Sequence, residues 1–396
     1  MQVLVYVISA IWLSPIFYLS VLLFGKYFKV RRRKNLIEQK GPVEKKIDKI
    51  IFQIPTVGNF RSVNKAFEAV RGYNLPVPVE TWVVVEEWDT HKDEYVCDKV
   101  VVVPKDFECE DLYKARALEF ARRLRVKMVT DGELSSNYIL LQGDDDAVPS
   151  IGFVKEGLTV AADISIGTIT PKVGGVWSTI IDYERCVACG IFCNFFTNLG
   201  QPLWAHGEGT VMSSKVDQNV SYDISSFVKN PKEKLISSED AFYFHKASAM
   251  GFDIYNSEER VFILPPLSMS DAVKQRRRWF WGQWTLLSRK MLPLGNRLRL
   301  GVLGFSGLWL YFIGMLGVPL SLLGVITLST PIFSVMLASL LIWLGMRAYI
   351  IGTAMGWKQG IIGALLSYVT VTLNTFVHLI GLLKGDPHNF EVIRKE

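Results

Sequence analysis

An α/β sheet of mainly parallel strands, set between membrane-embedded helices, is the architecture that this sequence predicts. Three observations carry the expectation. Apolar residues make up 49% of 396 positions and gather at the two ends of the chain. The charged middle, roughly residues 40–300, alternates short β-branched runs with stretches of helical spacing, the pattern of parallel strands joined by crossover helices. Those runs lack period-two alternation, as do strands buried on both faces.

The first apolar run, residues 3–24, is long enough for a hydrocarbon core of ~30 Å. No basic residue precedes it and no small-residue cleavage site ends it, so a span is expected over a signal peptide. It stops in "KYFKVRRRK", and positive charge just past a span marks the cytosolic side. The N-terminus is therefore expected outside, with residues 1–25 as the span, 26–48 as a basic juxtamembrane linker and 49–300 as a cytosolic globular domain with interfacial helices. The net charge of +6 suits a body resting on an anionic leaflet. Because the basic residues flank apolar spans, no nucleic-acid partner is expected.

Within the middle, "KIIFQIP" (49–55) is an apolar run stopped by proline, which suits a buried strand. "RSVNKAFEAVRG" follows as a helix. "TWVVVEEWD" (81–89) and "DKVVVVP" (98–104) give a second and third strand. "EDLYKARALEFARRL" has apolar positions at helical spacing, "NYILLQ" gives a fourth strand, and "DISIGTIT" (163–170) a fifth. After residue 303 three apolar stretches, separated near Thr330 and Lys358, predict a transmembrane region over 301–384 and a tail over 385–396. The basic tail argues for a cytosolic C-terminus, which three complete spans would forbid. One segment is thus expected to be re-entrant or interfacial; the candidates are the last, with Asn374 and His378 midway, and the Gly314/Gly317/Pro319 stretch.

Cys186, Cys189 and Cys193 fall at helical spacing i, i+3 and i+7. A zinc site would need a fourth ligand at matching spacing, and none is evident, so packing or membrane contact is the plain reading. No disulfide is expected in a reducing cytosol.

Ligands of open α/β sheets bind beyond the carboxyl ends of the strands. Three such ends carry polar chemistry here: Pro55-Thr56, Glu86-Glu87 and Asp144-Asp145-Asp146. Adjacent carboxylates at the end of "YILL" need a cation to offset their repulsion. Hard oxygen ligands suit Mg²⁺ or Mn²⁺, commonly held by one or two carboxylates together with substrate phosphates. The bland alternative is an acidic surface turn.

At these residues the chain resembles the membrane-integrated family 2 glycosyltransferases, the group of the cellulose and hyaluronan synthases. Asp144-x-Asp146 looks like their D-x-D motif. "KARAL" resembles the helix before it, "SSEDAFYFHKASAMGF" the E-D motif, and "KQRRRWFWGQW" contains Q-x-x-R-W. Within the family, the E-D to Q-x-x-R-W block, the single N-terminal span and the "FEVIRK" ending are similar to the Egghead-type β-1,4-mannosyltransferases. "VVVEEWD" departs from the V-V-D-D-G-S usual at the second strand, which leaves the base-binding acid open.

The resemblance implies a GT-A, Rossmann-like domain that moves a sugar from a nucleotide donor. Asp144 would contact ribose or diphosphate and Asp146 the metal, with Asp145 beside them. Pro55, Thr56, Glu86 and Glu87 would hold base and ribose, and Lys114 would reach base or phosphate. Gln275, Arg278 and Trp279 would line donor and acceptor, Arg278 as a planar fork for diphosphate oxygens and Trp279 as a flat face for an acceptor ring. The bland reading of "KQRRRW" is a membrane-surface anchor, which suits Arg276 and Arg277. The attacking hydroxyl needs a base. Asp240, next to Glu239, is the expected one; otherwise the pair opens a helix capped by Ser237 or Ser238. His206 in "WAHGEG" would flank the acceptor, or else be a packed histidine.

One base and no evident covalent nucleophile imply inversion. Three classes compete: a transferase acting on a lipid-linked or glycolipid acceptor, a processive polysaccharide synthase using UDP-glucose or UDP-N-acetylglucosamine, and a transporter. The spans lack the charged residues of a transport path, and at most four spans leave little material to enclose a polymer channel. The favoured donor is GDP-mannose, by subgroup resemblance. Nothing in the sequence fixes the oligomeric state.

Overall fold

The computed structural model describes residues 14–40, 47–109, 112–160, 162–202, 206–224, 238–288, 291–301, 323–324 and 329–385. Helix α1 (Ser14–Lys40) leads into strand β1 (Lys49–Pro55), which pairs in parallel with β2 (Val79–Glu86) and β4 (Tyr138–Gly143). Strand β3 (Lys99–Val103) adds in parallel to β2. These four form one half of an eight-stranded sheet of order β3-β2-β1-β4-β7-β6-β8-β5. In the other half β6 (Ile164–Pro171) runs parallel to β8 (Ile254–Ile263), while β7 (Gly209–Ser213) lies antiparallel between β4 and β6. The short β5 (Ala147–Pro149) is antiparallel to the end of β8. The result is a mixed α/β sheet of GT-A-like layout.

Packing follows the sequence periods. In α2 (Phe60–Arg71), Val63, Ala66, Phe67 and Val70 recur at helical spacing and pack on one face with Phe52, Ile54 and Val85. In α3 (Tyr113–Thr130), Ala117, Leu118 and Ala121 pack with Ile51, Trp82 and Val84 on the other. Each buried Val, Leu, Ile or Phe side chain among these stabilises the sheet by ~1.5–3 kcal/mol. Helix α4 (Ile151–Thr159) starts at Ser150, whose hydroxyl accepts from Phe153 N at 3.1 Å. Helix α5 (Val176–Ala188) passes through a π-helical turn, Cys189–Cys193, into α6 (Asn194–Asn198). Helix α7 (Ser214–Asn219) presents Asp217, whose two oxygens accept from Nε and Nη2 of the buried Arg125 of α3 at 2.7 Å. Then come α8 (Glu239–Ala249), α9 (Met269–Ser288) and α10 (Leu294–Arg299).

The basic segment expected as a juxtamembrane linker over 26–48 is helical through Lys40; residues 41–46 lie outside the described set. Its Lys, Arg, Leu and Glu residues are good helix formers, and its charges have protein partners. Arg32 Nη2 lies 2.9 Å from Asp253 Oδ1, Arg33 Nε 3.0 Å from Glu156 Oε1, and buried Lys29 3.7 Å from Glu258. The cluster clamps α1 to α4 and β8.

At the other end α11 (Thr330–Met355) includes a 23-residue stretch, Phe333–Met355, long and apolar enough to cross a membrane. Helices α12 (Trp357–Leu365) and α13 (Ser367–Leu383) pass that test only together and are bent by 71°. Glycines permit the compact turn from α11 to α12: Gly356 has φ +95, and a Cβ on Gly360 would sit 2.4 Å from Ala348 O. Asn374, flagged in the sequence as a polar residue midway, donates to Ile181 O of α5 at 3.1 Å and so faces protein. Residues 1–13, the apolar stretch with Gly314, Gly317 and Pro319, and the tail 386–396 lie outside the described residues.

Candidate active site

The three aspartates form the turn between β4 and β5. Their backbone is held by two hydrogen bonds, Ala147 N to Asp144 O and Leu264 N to Asp146 O, both 3.1 Å. Leu264 follows β8 directly, and the chain then enters α9. The turn and the helix bearing Gln275, Arg278 and Trp279 are thus fixed to the same strand end.

Lys114, in the first turn of α3, reaches this turn. Its Nζ lies 2.6 Å from Asp144 Oδ1 and 3.2 Å from Glu239 Oε1. Burial opposes the Lys114 charge, but Asp144, Glu239 and Asp240 outweigh it and hold the ammonium well above its ordinary value. Asp144 is pushed up to about 7, chiefly by burial, with Glu208 and Asp146 adding to the rise and Lys114 opposing it. Asp240, at the start of α8, is raised to about 6 by burial and by Glu239. Its two oxygens accept from Gly207 N at 2.9 Å and Ala241 N at 2.7 Å. Gly207 has little room: a Cβ there would meet Lys114 Nζ at 3.0 Å and Asp240 Oδ2 at 3.3 Å. Ser238 does not cap α8 with its side chain; it sits in the left-handed region, φ 74, and Ser237 lies outside the described residues.

Sequence reasoning missed Glu208, Asp182 and Arg185. Glu208 pairs with Arg185 and is held down at about 2: burial works against its charge, but Arg185, His206 and Lys114 overcome it. Arg276, read from the sequence as a surface anchor, is buried; its Nη2 lies 2.9 Å from Asp182 Oδ1 and its Nη1 donates to Gln275 Oε1 at 2.7 Å. The physical reason is helical phase, which turns Arg276 toward α5 along with Gln275. The Trp279 ring, assigned by resemblance to an acceptor sugar, carries two guanidinium groups, Arg276 at 4.4 Å and Arg185 at 4.8 Å from its centroid. Arg277 reaches the end of α13, donating to Gly385 O at 2.7 Å and Lys384 O at 3.1 Å. Arg278 follows one residue on and is half-buried.

Other expected contributors have local partners. Thr56 Oγ1 donates to Asp145 Oδ2 at 3.0 Å, joining the end of β1, where Pro55 is buried, to the aspartate turn. Glu86 is tied to Arg116 Nη1 at 2.6 Å, and Glu87 accepts from Lys105 N at 2.7 Å. The buried carboxylate at that strand end is Asp89, which accepts from Gly58 N and Tyr95 Oη at 3.1 Å and from His91 N at 2.8 Å. His206 turns its Nε2 to Cys193 Sγ at 3.2 Å and its Nδ1 to within 4.0 Å of Glu208. Cys186 packs separately, with Val21 and Trp343.

Asp144, Asp146, Glu208, Glu239 and Asp240 together exceed the charge that Lys114 and Arg185 supply. A surplus of partly desolvated hard oxygen donors is what Mg²⁺ or Mn²⁺ offsets, and the residues present fit such an ion.

The chain is similar to several known proteins. The family described as glycosyl transferase family group 2 matches residues 141–346, more than half of the chain. The β-1,4-mannosyltransferase egh of Drosophila melanogaster is 24% identical over 214 residues, 52% of this chain and 45% of that protein, so the chain spans about half the length of this relative. Among solved structures, the mannosyltransferase PcManGT from Pyrobaculum calidifontis, in complex with GDP-Man and Mn²⁺, aligns over 91% of this chain and 99% of its own, with TM-score 0.48 and 13% identity. Glucosyl-3-phosphoglycerate synthase from Mycobacterium tuberculosis aligns over 63% and 81%, with TM-score 0.39 and 15% identity. Structural likeness at that level carries no functional information. The family match, spanning the aspartate turn, the Glu239-Asp240 pair and the Gln275–Trp279 helix, establishes that this chain belongs to glycosyl transferase family group 2.

Proposed function

We propose that the chain is an inverting, metal-dependent hexosyltransferase that moves mannose from GDP-mannose onto a lipid-linked or glycolipid acceptor at the cytosolic face of a membrane. The observation that carries this reading is the convergence of Lys114, Asp144, Glu239 and Asp240 at the strand ends of a family group 2 chain. Mannose rests on the Drosophila relative. The membrane rests on Phe333–Met355, on the bent pair after it, and on the exposed Leu341, Leu365 and Leu383.

Asp144 and Asp146 would hold the Mg²⁺ or Mn²⁺. When bound, such an ion neutralises the departing diphosphate as a Lewis acid. Asp240 takes the acceptor proton: raised to about 6, it is ionised at neutral pH yet basic enough to accept. The amides of Gly207 and Ala241 fix its orientation. Lys114 keeps Asp144 and Glu239 from repelling each other, and Arg278 would offer its guanidinium to the diphosphate oxygens. Arg185 and Arg276, clamped by Glu208 and Asp182, set the position of Trp279.

The test is a donor screen with the full chain purified into lipid, reading nucleoside diphosphate release and product length. GDP-mannose giving one added sugar supports the reading. Long product from UDP-glucose or UDP-N-acetylglucosamine would replace it with a processive synthase.

A further inference from the structure

Behind the carboxylates lies a thiol–imidazole cluster that the transfer reaction does not use. Cys189 and Cys193 open and close the π-helical turn after α5 and are fully buried. His206, which precedes β7, brings Nε2 to 3.2 Å from Cys193 Sγ, and one potential ligand atom from each of the three lies within 4.8 Å of the others. The two thiols share one face of the helix, and π-turns inside helices recur at functional positions.

We propose that Cys189, Cys193 and His206 form a binding site for a thiophilic divalent cation, Zn²⁺. Thiolate and imidazole are the ligands zinc prefers, at ~2.3 and ~2.0–2.1 Å. Tetrahedral coordination at those lengths sets ligand atoms roughly 3.5–3.8 Å apart, so the 3.2 Å His206–Cys193 pair opens slightly while the other pairs, within 4.8 Å, close. Charge agrees. Two thiolates neutralise the dication, and a neutral assembly avoids most of the cost of burying an ion. His206 Nδ1 lies 4.0 Å from Glu208 Oε2, longer than a hydrogen bond, so Glu208 must close by about 1 Å to orient a metal-bound imidazole. Three protein ligands leave a fourth position for water. Hard Mg²⁺ and Mn²⁺ do not compete for sulfur.

The site has a structural consequence. Gly207, next to His206, donates its amide to Asp240. Zinc at this cluster ties the loop carrying that amide to the π-turn.

The experiment measures metal in the full chain purified in lipid, and does not depend on the transferase reading. Stoichiometric zinc is expected by mass spectrometry in wild type and in Asp146→Asn, with at least a tenfold loss in Cys193→Ser. Cobalt replacing zinc in wild type should give thiolate-to-cobalt charge-transfer absorption and the visible bands of a tetrahedral site. Glu208→Gln should weaken zinc affinity by about 10- to 100-fold. Zinc retained in a Cys189→Ser/Cys193→Ser double variant, or a wild-type chain that takes up neither metal, would overturn the proposal. If the serine variants do not fold, the wild-type cobalt spectrum decides alone.

Discussion

Lys114 Nζ sits 2.6 Å from Asp144 Oδ1 and bridges it to Glu239 at 3.2 Å. Without the ammonium, three neighbouring carboxyls face one another with little water to screen them. Asp144 then takes up a proton that donor binding must displace. Lys114→Met should therefore weaken nucleotide-sugar binding about tenfold or more, in line with the 1.5–3 kcal/mol of a charge-assisted hydrogen bond. Titration calorimetry with the nucleotide reads this directly. Unchanged affinity would remove Lys114 from the donor site.

Asp240 should separate binding from turnover. A general base acts on the acceptor proton in the transition state and contributes little to donor affinity. Asp240→Asn should lower kcat by ~10²-fold or more with donor Kd near wild type. Normal turnover would move the base elsewhere, with Glu239 the next carboxylate along.

The pH profile follows from the two raised carboxyls. Each is protonated below its own value, and both roles need the ionised form, so activity falls as pH falls. In the free enzyme Asp144, pushed up to about 7, should set the acid limb of kcat/KM. In the complex Asp240, raised to about 6, should set that of kcat. Raising Mn²⁺ should move the first limb to lower pH and leave the second in place. A flat profile from about pH 5 to pH 8 would contradict both assignments.

Arg276 and Arg277 are neighbours in sequence with different fates. Arg276→Ala leaves buried Asp182 with the looser Arg185 contact at 4.0 Å in place of the 2.9 Å pair, and breaking a buried pair costs about 3–5 kcal/mol. Thermal unfolding in detergent should show a large loss for Arg276→Ala and partial recovery in Asp182→Asn/Arg276→Met. Arg277→Ala, which gives up carbonyl contacts at a partly exposed helix end, should lose much less. Equal losses would return both to the status of membrane anchors.

Five strands were legible because β1, β2, β3, β4 and β6 are runs of β-branched and apolar residues bounded by turn residues. The rest escaped for physical reasons. β8 carries "NSEER" in its middle, β7 ("GTVMS") lacks a long β-branched run, and β5 is set by pairing with β8. Strand order depends on contacts far apart in sequence, so the antiparallel insertion of β7 had no local signal. At the site, Asp144, Lys114 and Asp240 were found through motifs and come together. Arg185 and Glu208 sit 23 residues apart with no shared pattern. His206 joins Cys189 and Cys193 from a separate loop, a juxtaposition that cysteine spacing does not encode.

The most direct test of the account is transfer of labelled mannose from GDP-mannose to membrane lipid by the full chain, with and without divalent cation. The account predicts transfer with Mn²⁺ or Mg²⁺, none in excess chelator, recovery when Mn²⁺ alone is added back, and little from Asp146→Asn at any Mn²⁺ concentration. Full transfer in excess chelator, or a fully active Asp146→Asn chain, would contradict it.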